Sequence, residues 1–169
     1  MVGTVSGLAR VKDDRISVYT ARDNVPPGAI RALRWDPGGH LWIGGDGGLG
    51  RWANGQFISG ERTGLPQSPV TALSLDHERT LWVGTADRGL LRQSGDRLVP
   101  YTSIDGLPAD AVKSIYQDPD GDIWAGTNGG LVRLRTSRVT VLTAKDGLAR
   151  DPSRTIHRGA MDDMWDRGR

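Results

Sequence analysis

Hydrophobic and polar residues alternate with a period of two along much of the chain. The segment Val112–Gln117 alternates in this way and is followed by the turn Asp118–Gly121. Further short segments follow at Ile123–Thr127, Leu131–Arg135 and Val139–Thr143. A period of two is typical of β-strands, and turn residues between short strands are typical of hairpins. The pattern therefore predicts an all-β chain built from short antiparallel strands.

A tryptophan recurs about every 41 residues: Trp42, Trp82, Trp124 and Trp165 are 40, 42 and 41 residues apart. After each of the first three comes a Gly-Leu pair and then an arginine, at Arg51, Arg92 and Arg133. Four strands in every repeat of this length are typical of a β-propeller blade. The fixed position of the four tryptophans predicts that they pack between blades rather than bind sugars.

The start of the chain follows the same register, because Gly3 precedes Gly44 by one period and Met1 takes the tryptophan position. We therefore predict a run of propeller repeats over residues 1–165, worth about four blades, which forms a partial propeller or open arc. Its predicted parts are a half blade of two strands at 1–24, blades at about 25–64, 65–106 and 107–147, a partial blade at 148–165, and an unstructured tail at 166–169. Uncovered blade faces would favour further blades or self-association.

The repeated text resembles the two-component regulator propeller repeat family. The resemblance rests on Asp36–Gly44 and Asp118–Thr127, on the Gly-Leu-x-Arg element, and on the Gly-Leu-Pro openers at Gly64 and Gly106. It implies part of the periplasmic sensor of a histidine kinase, hybrid kinase or diguanylate cyclase, which binds a ligand, often a glycan fragment. Any kinase or cyclase activity would then lie in parts absent from this chain. The segment Asp76–Thr80 departs from the pattern because it lacks the turn glycine.

Composition and charge limit the classes of partner that we expect for this chain. The formal net charge is +2, and the arginines are spread along the chain without dense basic runs, so we expect no nucleic-acid partner. Cysteine is absent, and no apolar stretch is long enough for a membrane span, so we expect no membrane contact by this segment. The first residues lack an export signal, so the chain expressed as written is expected in the cytoplasm.

No arrangement of residues predicts catalysis, a metal or a cofactor. The three histidines occupy unrelated repeat positions, and no Ser/His/Asp set or two-histidine metal spacing is visible. Asp118–Asp122 has some likeness to a calcium loop but lacks the distal glutamate, which favours a hairpin turn. We expect a binding protein and no enzyme. The alternatives are a carbohydrate-active propeller enzyme, lyase or sialidase-like, and a protein-interaction scaffold.

Loops that differ between copies of a repeated frame are the places where specificity can reside. Arg88 is the strongest candidate, because the other copies have Gly47, Gly129 or Ser6 at its position before Gly-Leu. A guanidinium there can pair bidentately with an acidic sugar. The predicted ligand-binding residues, for a glycan or another small ligand, are Asp46, Asp87, Arg88 and Asn128 in loops within blades and Arg62 between blades.

Overall fold

The computed structural model describes residues 1–59, 65–95, 97–135, 138–142, 146, 156–158 and 164–166. These residues form seventeen β-strands and short 3-10 turns, with no α-helix in this part of the chain. The strands are β1 Val2–Thr4, β2 Gly7–Lys12, β3 Arg15–Tyr19, β4 Ile30–Trp35, β5 Leu41–Gly45, β6 Gly48–Ala53, β7 Gln56–Ser59, β8 Val70–Leu75, β9 Leu81–Thr85, β10 Leu90–Ser94, β11 Arg97–Tyr101, β12 Val112–Gln117, β13 Ile123–Thr127, β14 Gly130–Arg135, β15 Arg138–Leu142, β16 Ile156–Arg158 and β17 Met164–Asp166.

The strands form five sheets, and neighbouring strands follow one another in sequence. The sheets are β1–β3, β4–β7, β8–β11, β12–β15 and β16–β17. Three of them have four strands, which confirms the prediction of an all-β chain made of four-stranded antiparallel blades. Ring closure and self-association stay predictions.

The first sheet has three strands, one more than the predicted half blade. Val2–Thr4 pairs with β2 through Val2↔Ala9, Gly3↔Leu8 and Thr4↔Gly7. The strand count missed β1 because this strand lacks the leading Leu-Trp residues of the other copies. At the other end β17 includes Asp166, so that residue is not part of an unstructured tail. Residues 167–169 and most residues around the predicted boundaries at 64 and 147 lie outside the described residues.

The chain divides into two compact units, residues Met1–Leu73 and Ser74–Arg169. In the first unit the core lies between the first and second sheets and contains Leu8, Val25, Leu41 and Ile43. The core of the second unit joins β9 and β10 to the fourth sheet. Its buried members are Trp82, Leu90, Leu107, Val112, Ile123, Ala125, Val132 and Leu134.

Each four-stranded sheet carries the same hydrogen-bonded corner at the turn after its first strand. In the second sheet, Asp36 Oδ1 accepts the backbone N–H of His40 at 2.9 Å, and Oδ2 accepts the Trp42 indole N–H at 3.0 Å. The corresponding residues in the next two sheets are Asp76, Thr80 and Trp82, and then Asp118, Asp122 and Trp124. One carboxylate therefore fixes both the turn and the tryptophan ring.

An arginine covers each of these tryptophans. The guanidinium carbons of Arg51, Arg92 and Arg133 lie 5.4, 5.7 and 5.1 Å from the ring centroids of Trp42, Trp82 and Trp124. A cation over an indole face within about 6 Å is attracted by the ring quadrupole. The register explains the pairing, because Trp42 lies opposite Arg51, Trp82 opposite Arg92 and Trp124 opposite Arg133.

The corner without a glycine keeps the same backbone. Arg79 has φ 67°, close to the 79° and 88° of Gly39 and Gly121 at the equivalent positions. Arg79 donates its N–H to the Asp76 carbonyl at 2.9 Å, so the turn closes as in the other copies. A non-glycine residue in the left-handed region is strained by contact between its Cβ and the backbone. The third sheet therefore forms the common corner at a cost in stability.

Candidate functional site

The loops that contain the predicted ligand-binding residues contact the segments that precede the first strands of the sheets. In the first unit the backbone N–H of Asp46 donates to the Ala29 carbonyl at 3.0 Å. In the second unit Gly89 donates to Asp110 at 2.9 Å, and Asn128 donates to Ala111 at 3.0 Å. These bonds bring the loop between the second and third strands of a sheet beside such a connection.

Asp46 is occupied by a local ion pair. Its Oδ1 accepts Arg31 Nε at 2.6 Å, and its Oδ2 accepts the backbone N–H of Ala29 at 3.3 Å. The hydrogen bond from Arg31 holds the pKa of the Asp46 carboxyl below its usual range, and together with the Ala29 N–H and the charge of Arg31 it outweighs the opposing effect of burial. Asp46 therefore fixes the chain before β4, and a ligand at this carboxylate would compete with Arg31.

The loop between β9 and β10 is one residue longer than its counterparts. Three residues, Ala86, Asp87 and Arg88, separate Thr85 from Gly89, whereas two residues separate Gly45 from Gly48 and Thr127 from Gly130. Thr85 supports it: its Oγ1 accepts the Arg88 N–H at 2.9 Å and donates to the Gly89 carbonyl at 2.8 Å. Gly89, which follows these three residues, has φ 75°, in the left-handed region that favours glycine.

The added residue gives Arg88 room for a side chain. A Cβ at Gly47 would lie 2.3 Å from Pro27 Cδ, and a Cβ at Gly129 would lie 2.4 Å from the Pro108 carbonyl oxygen. The two-residue loops of the second and fourth sheets therefore exclude a side chain at the position that Arg88 fills, whereas the loop of the first sheet has Ser6 there. The sequence signal was the spacing from tryptophan to the Gly-Leu leucine, which is eight residues here and seven in the other two sheets. An alignment of the repeats at the Gly-Leu pair alone does not show this additional residue.

The remaining candidates differ in what the structure says of them. Asp87, Arg88 and Asn128 are exposed, and Asp87 has an interaction partner. Arg62 lies outside the described residues. The structure thus places three exposed candidates in loops of the second unit, while Asp46 belongs to the first.

The tryptophans at the repeat position are buried where the structure describes them. Trp42 and Trp82 are 5% exposed and Trp124 is 9% exposed, whereas Trp35, outside the repeat position, is 50% exposed. Buried rings with their indole N–H groups already bonded have no face to offer a sugar. This is the arrangement that an inter-blade packing role requires. The side chain of Trp165 lies outside the described residues.

A comparison with protein-family models agrees with the blade architecture of the third and fourth sheets. A family model described as two-component regulator propeller matches residues 64–87 and 106–129. Both segments are similar to the repeats of that family. They run from the Gly-Leu-Pro opener through the first and second strands of the third and fourth sheets, and they include the corners at Asp76 and Asp118. The resemblance inferred from the sequence is thereby confirmed. No curated protein matches the chain in sequence at a significant level.

Solved propeller structures share this fold. The extracellular domain of BT3049 from B. thetaiotaomicron, assigned to a hybrid two-component system, superposes with a TM-score of 0.72 at 23% identity, over 90% of this chain and 23% of its own. The extracellular domain of BT4673 from the same organism superposes with a TM-score of 0.76 at 21% identity, over 96% of this chain and 24% of its own. Virginiamycin B lyase from Staphylococcus aureus superposes with a TM-score of 0.67 at 19% identity, over 96% of this chain and 56% of its own. At these identities the likeness shows the fold alone, and the chain spans about a quarter of the length of the two extracellular domains.

The opener of the repeat has a structural role in both units. In the second unit Asp105 Oδ2 accepts the Thr102 N–H at 2.9 Å, Gly106 has φ 102°, and Leu107 is buried. In the first unit Asp23 accepts from Thr20 in the same way, at 2.9 Å. The Asp-Gly-Leu text of the propeller repeat thus closes a capped turn and anchors a leucine in the second unit, and Asp23-Asn24-Val25 does the same with a buried valine in the first.

The Asp118–Asp122 segment forms the predicted hairpin turn, with the carboxylates of Asp118 and Asp122 already paired. Asp122 Oδ2 accepts Arg133 Nε at 2.7 Å and Arg135 Nε at 2.8 Å. Burial would raise the pKa of the Asp122 carboxyl, but the hydrogen bonds and charges of Arg135 and Arg133 outweigh it, so the pKa lies below its usual range. Across the described residues, no group of three or more His, Asp or Glu side chains is placed to hold a metal ion.

The described residues also contain no helix with the length and hydrophobicity needed to cross a bilayer.

Proposed function

We propose that the chain is part of the ligand-binding sensor region of a two-component or cyclic-di-GMP signalling receptor, located in the periplasm and without catalysis of its own. The two-component regulator propeller repeats support the receptor class. The observation that carries the binding role is the extended β9–β10 loop, which presents the exposed Arg88 where the loops of the second and fourth sheets leave no room for a side chain.

The chemistry of this loop favours an anionic ligand. A guanidinium offers a planar fork of donors that fits a carboxylate or sulfate, as on an acidic sugar. The Arg88 backbone is held by Thr85, so the loop is ordered before a ligand arrives. Ordering in advance reduces the entropy lost on binding.

The proposal is tested with a glycan array probed by the full chain, followed by titration of any acidic glycan that binds. Arg88→Ala should weaken binding more than tenfold, or about 1.4 kcal/mol. Its free energy of unfolding should stay within about ±0.5 kcal/mol, as for most surface substitutions. Arg97→Ala, an exposed arginine on β11, is the matched control and should bind as the unaltered chain does. Equal affinities for the two variants would rule out Arg88 as the site.

A second candidate function has one observation in its favour, the shared fold with virginiamycin B lyase. At 19% identity that likeness carries no residue roles. Mass spectrometry of any bound glycan after incubation separates the two functions, because a lyase converts its substrate and a sensor returns it unchanged.

A further inference from the structure

One arginine at the repeat position lacks the tryptophan that covers the others. Arg10 corresponds to Arg133, and the pairing Gly3↔Leu8 and Val2↔Ala9 brings Met1, at the tryptophan position, opposite it. Among the described residues the Arg10 guanidinium has no ion pair, hydrogen bond or aromatic ring contact. Its charge is therefore available to a ligand.

Arg10 lines a cleft of about 740 Å³ in the first unit, beside the outer strands of the first and second sheets. Aromatic side chains form much of its wall: Tyr19 and Phe57 have ring centroids 5.0 Å apart, and Trp52 lies close by in the same cleft. Asn24 and Gln56 add amide groups. The volume is within the range of about 300–1,000 Å³ that is usual for small-molecule sites.

Positive charge continues from Arg10 along the same face of the first sheet. A second hollow of about 470 Å³ adjoins it and is lined by Lys12, Asp13, Arg15 and Ser17. The pairs Arg10↔Ser17 and Lys12↔Arg15 put these side chains on one face, because directly opposite residues of antiparallel strands share a face. Asp13 is the one carboxylate against three cations among the residues that line this hollow. The Asp23 carboxylate in the larger cleft is bonded to Thr20.

We propose that this cleft binds a small organic anion carried on a ring-shaped body, such as a sugar acid or an aryl acid. Arg10 would pair with the anionic group, and Tyr19 and Phe57 would pack against the ring. Lys12 and Arg15 would raise the local concentration of anions. This site is separate from the β9–β10 loop of the proposed function, so either can fail without the other.

The test is a titration of the full chain followed by ¹H–¹⁵N spectra of the Trp52 indole N–H and the Arg10 Nε–H. The probes are two pairs that differ in charge: methyl glucuronide against methyl glucoside, and phenyl phosphate against phenol. At least one anion should shift both signals and bind at least tenfold more tightly than its neutral partner. The pair that does so distinguishes a sugar acid from an aryl acid.

Arg10→Met keeps the length of the side chain and removes its charge, and it should reduce the affinity at least tenfold. Arg92→Met is the matched control, because Arg92 has the same repeat position but stacks on Trp82. It should leave the affinity unchanged, even where it lowers the stability. The proposal is overturned if neither anion shifts the Trp52 and Arg10 signals at millimolar concentration, or if Arg10→Met binds as tightly as the unaltered chain.

Discussion

The first and fourth sheets contain equivalent residues in opposite environments. Ala125 and Leu134 of the fourth sheet are 0% and 8% exposed, and they belong to the cluster that includes Trp82 and Leu90. Their equivalents in the first sheet, Val2 and Val11, are 55% and 59% exposed. The apolar pattern of a blade therefore does not determine burial by itself. Burial requires the neighbouring sheet that supplies the other half of the core.

The same two sheets differ in what their arginine contacts. Arg133 lies 5.1 Å from the Trp124 ring centroid and bonds to Asp122, so its charge is satisfied within the sheet. Arg10 has Met1 in the tryptophan position and faces an open cleft. Arg133 is thus held by both an indole ring and a carboxylate, whereas Arg10 has neither partner among the described residues.

The largest expected loss of stability follows from removing the indole ring of Trp124, whose place in the first sheet is taken by Met1. Trp124→Ala should lower the free energy of unfolding by about 3–5 kcal/mol, because it empties a buried volume and removes the indole that donates to Asp118 and stacks under Arg133. Chemical denaturation measures the change. Trp35→Ala is the control: Trp35 is half exposed and has an edge contact with Trp52, so the loss should be about 1 kcal/mol or less. A Trp124→Ala chain as stable as the unaltered one would disprove the packing role.

A smaller effect is expected from the carboxylate that pairs with Arg133 and Arg135. Asp122→Asn should cost about 1–3 kcal/mol at neutral pH, because it replaces the charged acceptor shared by Arg133 and Arg135 with a neutral amide oxygen. The pKa of Asp122 is lowered in the folded chain, so its stabilisation is present above the unfolded pKa of about 3.9 and is lost as the pH falls through the folded pKa.

Denaturation curves at neutral and acidic pH measure this dependence. The difference between Asp122→Asn and the unaltered chain should shrink as the pH falls below about 4. Asp46→Asn, which removes an exposed partner of Arg31, serves as the comparison and should have a smaller effect at neutral pH. A difference for Asp122→Asn that is constant across this pH range would contradict the role assigned to its charge.

The corner of the third sheet offers a gain in stability. Arg79→Gly should raise the free energy of unfolding by about 0.5–1 kcal/mol, because glycine adopts the left-handed conformation without strain but has a more flexible unfolded state. Gly121→Ala is the reciprocal control and should destabilise, since its Cβ meets only Gln117 Nε2 at 3.8 Å and the cost reflects φ alone. Thermal denaturation measures both changes. Equal melting temperatures for the Arg79→Gly and unaltered chains would argue against strain in this turn.

Local pattern was sufficient to predict the strands and the regular positions of the tryptophans. The corner bonds emerge only in the folded chain, although their Asp-to-Trp spacing of six residues is visible in all three copies. Two features were missed for specific reasons. β1 lacks the Leu-Trp residues that mark its equivalents. The longer β9–β10 loop is not visible when the repeats are aligned at the Gly-Leu pair, because the additional residue precedes that pair. Arg10 lacks a stacking partner because Met1, on the paired strand opposite it, replaces the tryptophan of the other copies. The sequence of a single strand does not show which residues lie opposite one another.

The contrast between Arg10 and the three covered arginines is tested most directly by ¹H–¹⁵N spectra of the arginine Nε–H groups. Protons above an indole face are shifted upfield by its ring current. The signals of Arg51, Arg92 and Arg133 should therefore be shifted upfield, while that of Arg10 should keep an ordinary position. In Trp124→Met the Arg133 signal alone should lose its upfield ring-current shift, while Arg133 Nε stays bonded to Asp122. An upfield-shifted Arg10 signal, or ordinary positions for the other three, would contradict the division between structural and free arginines.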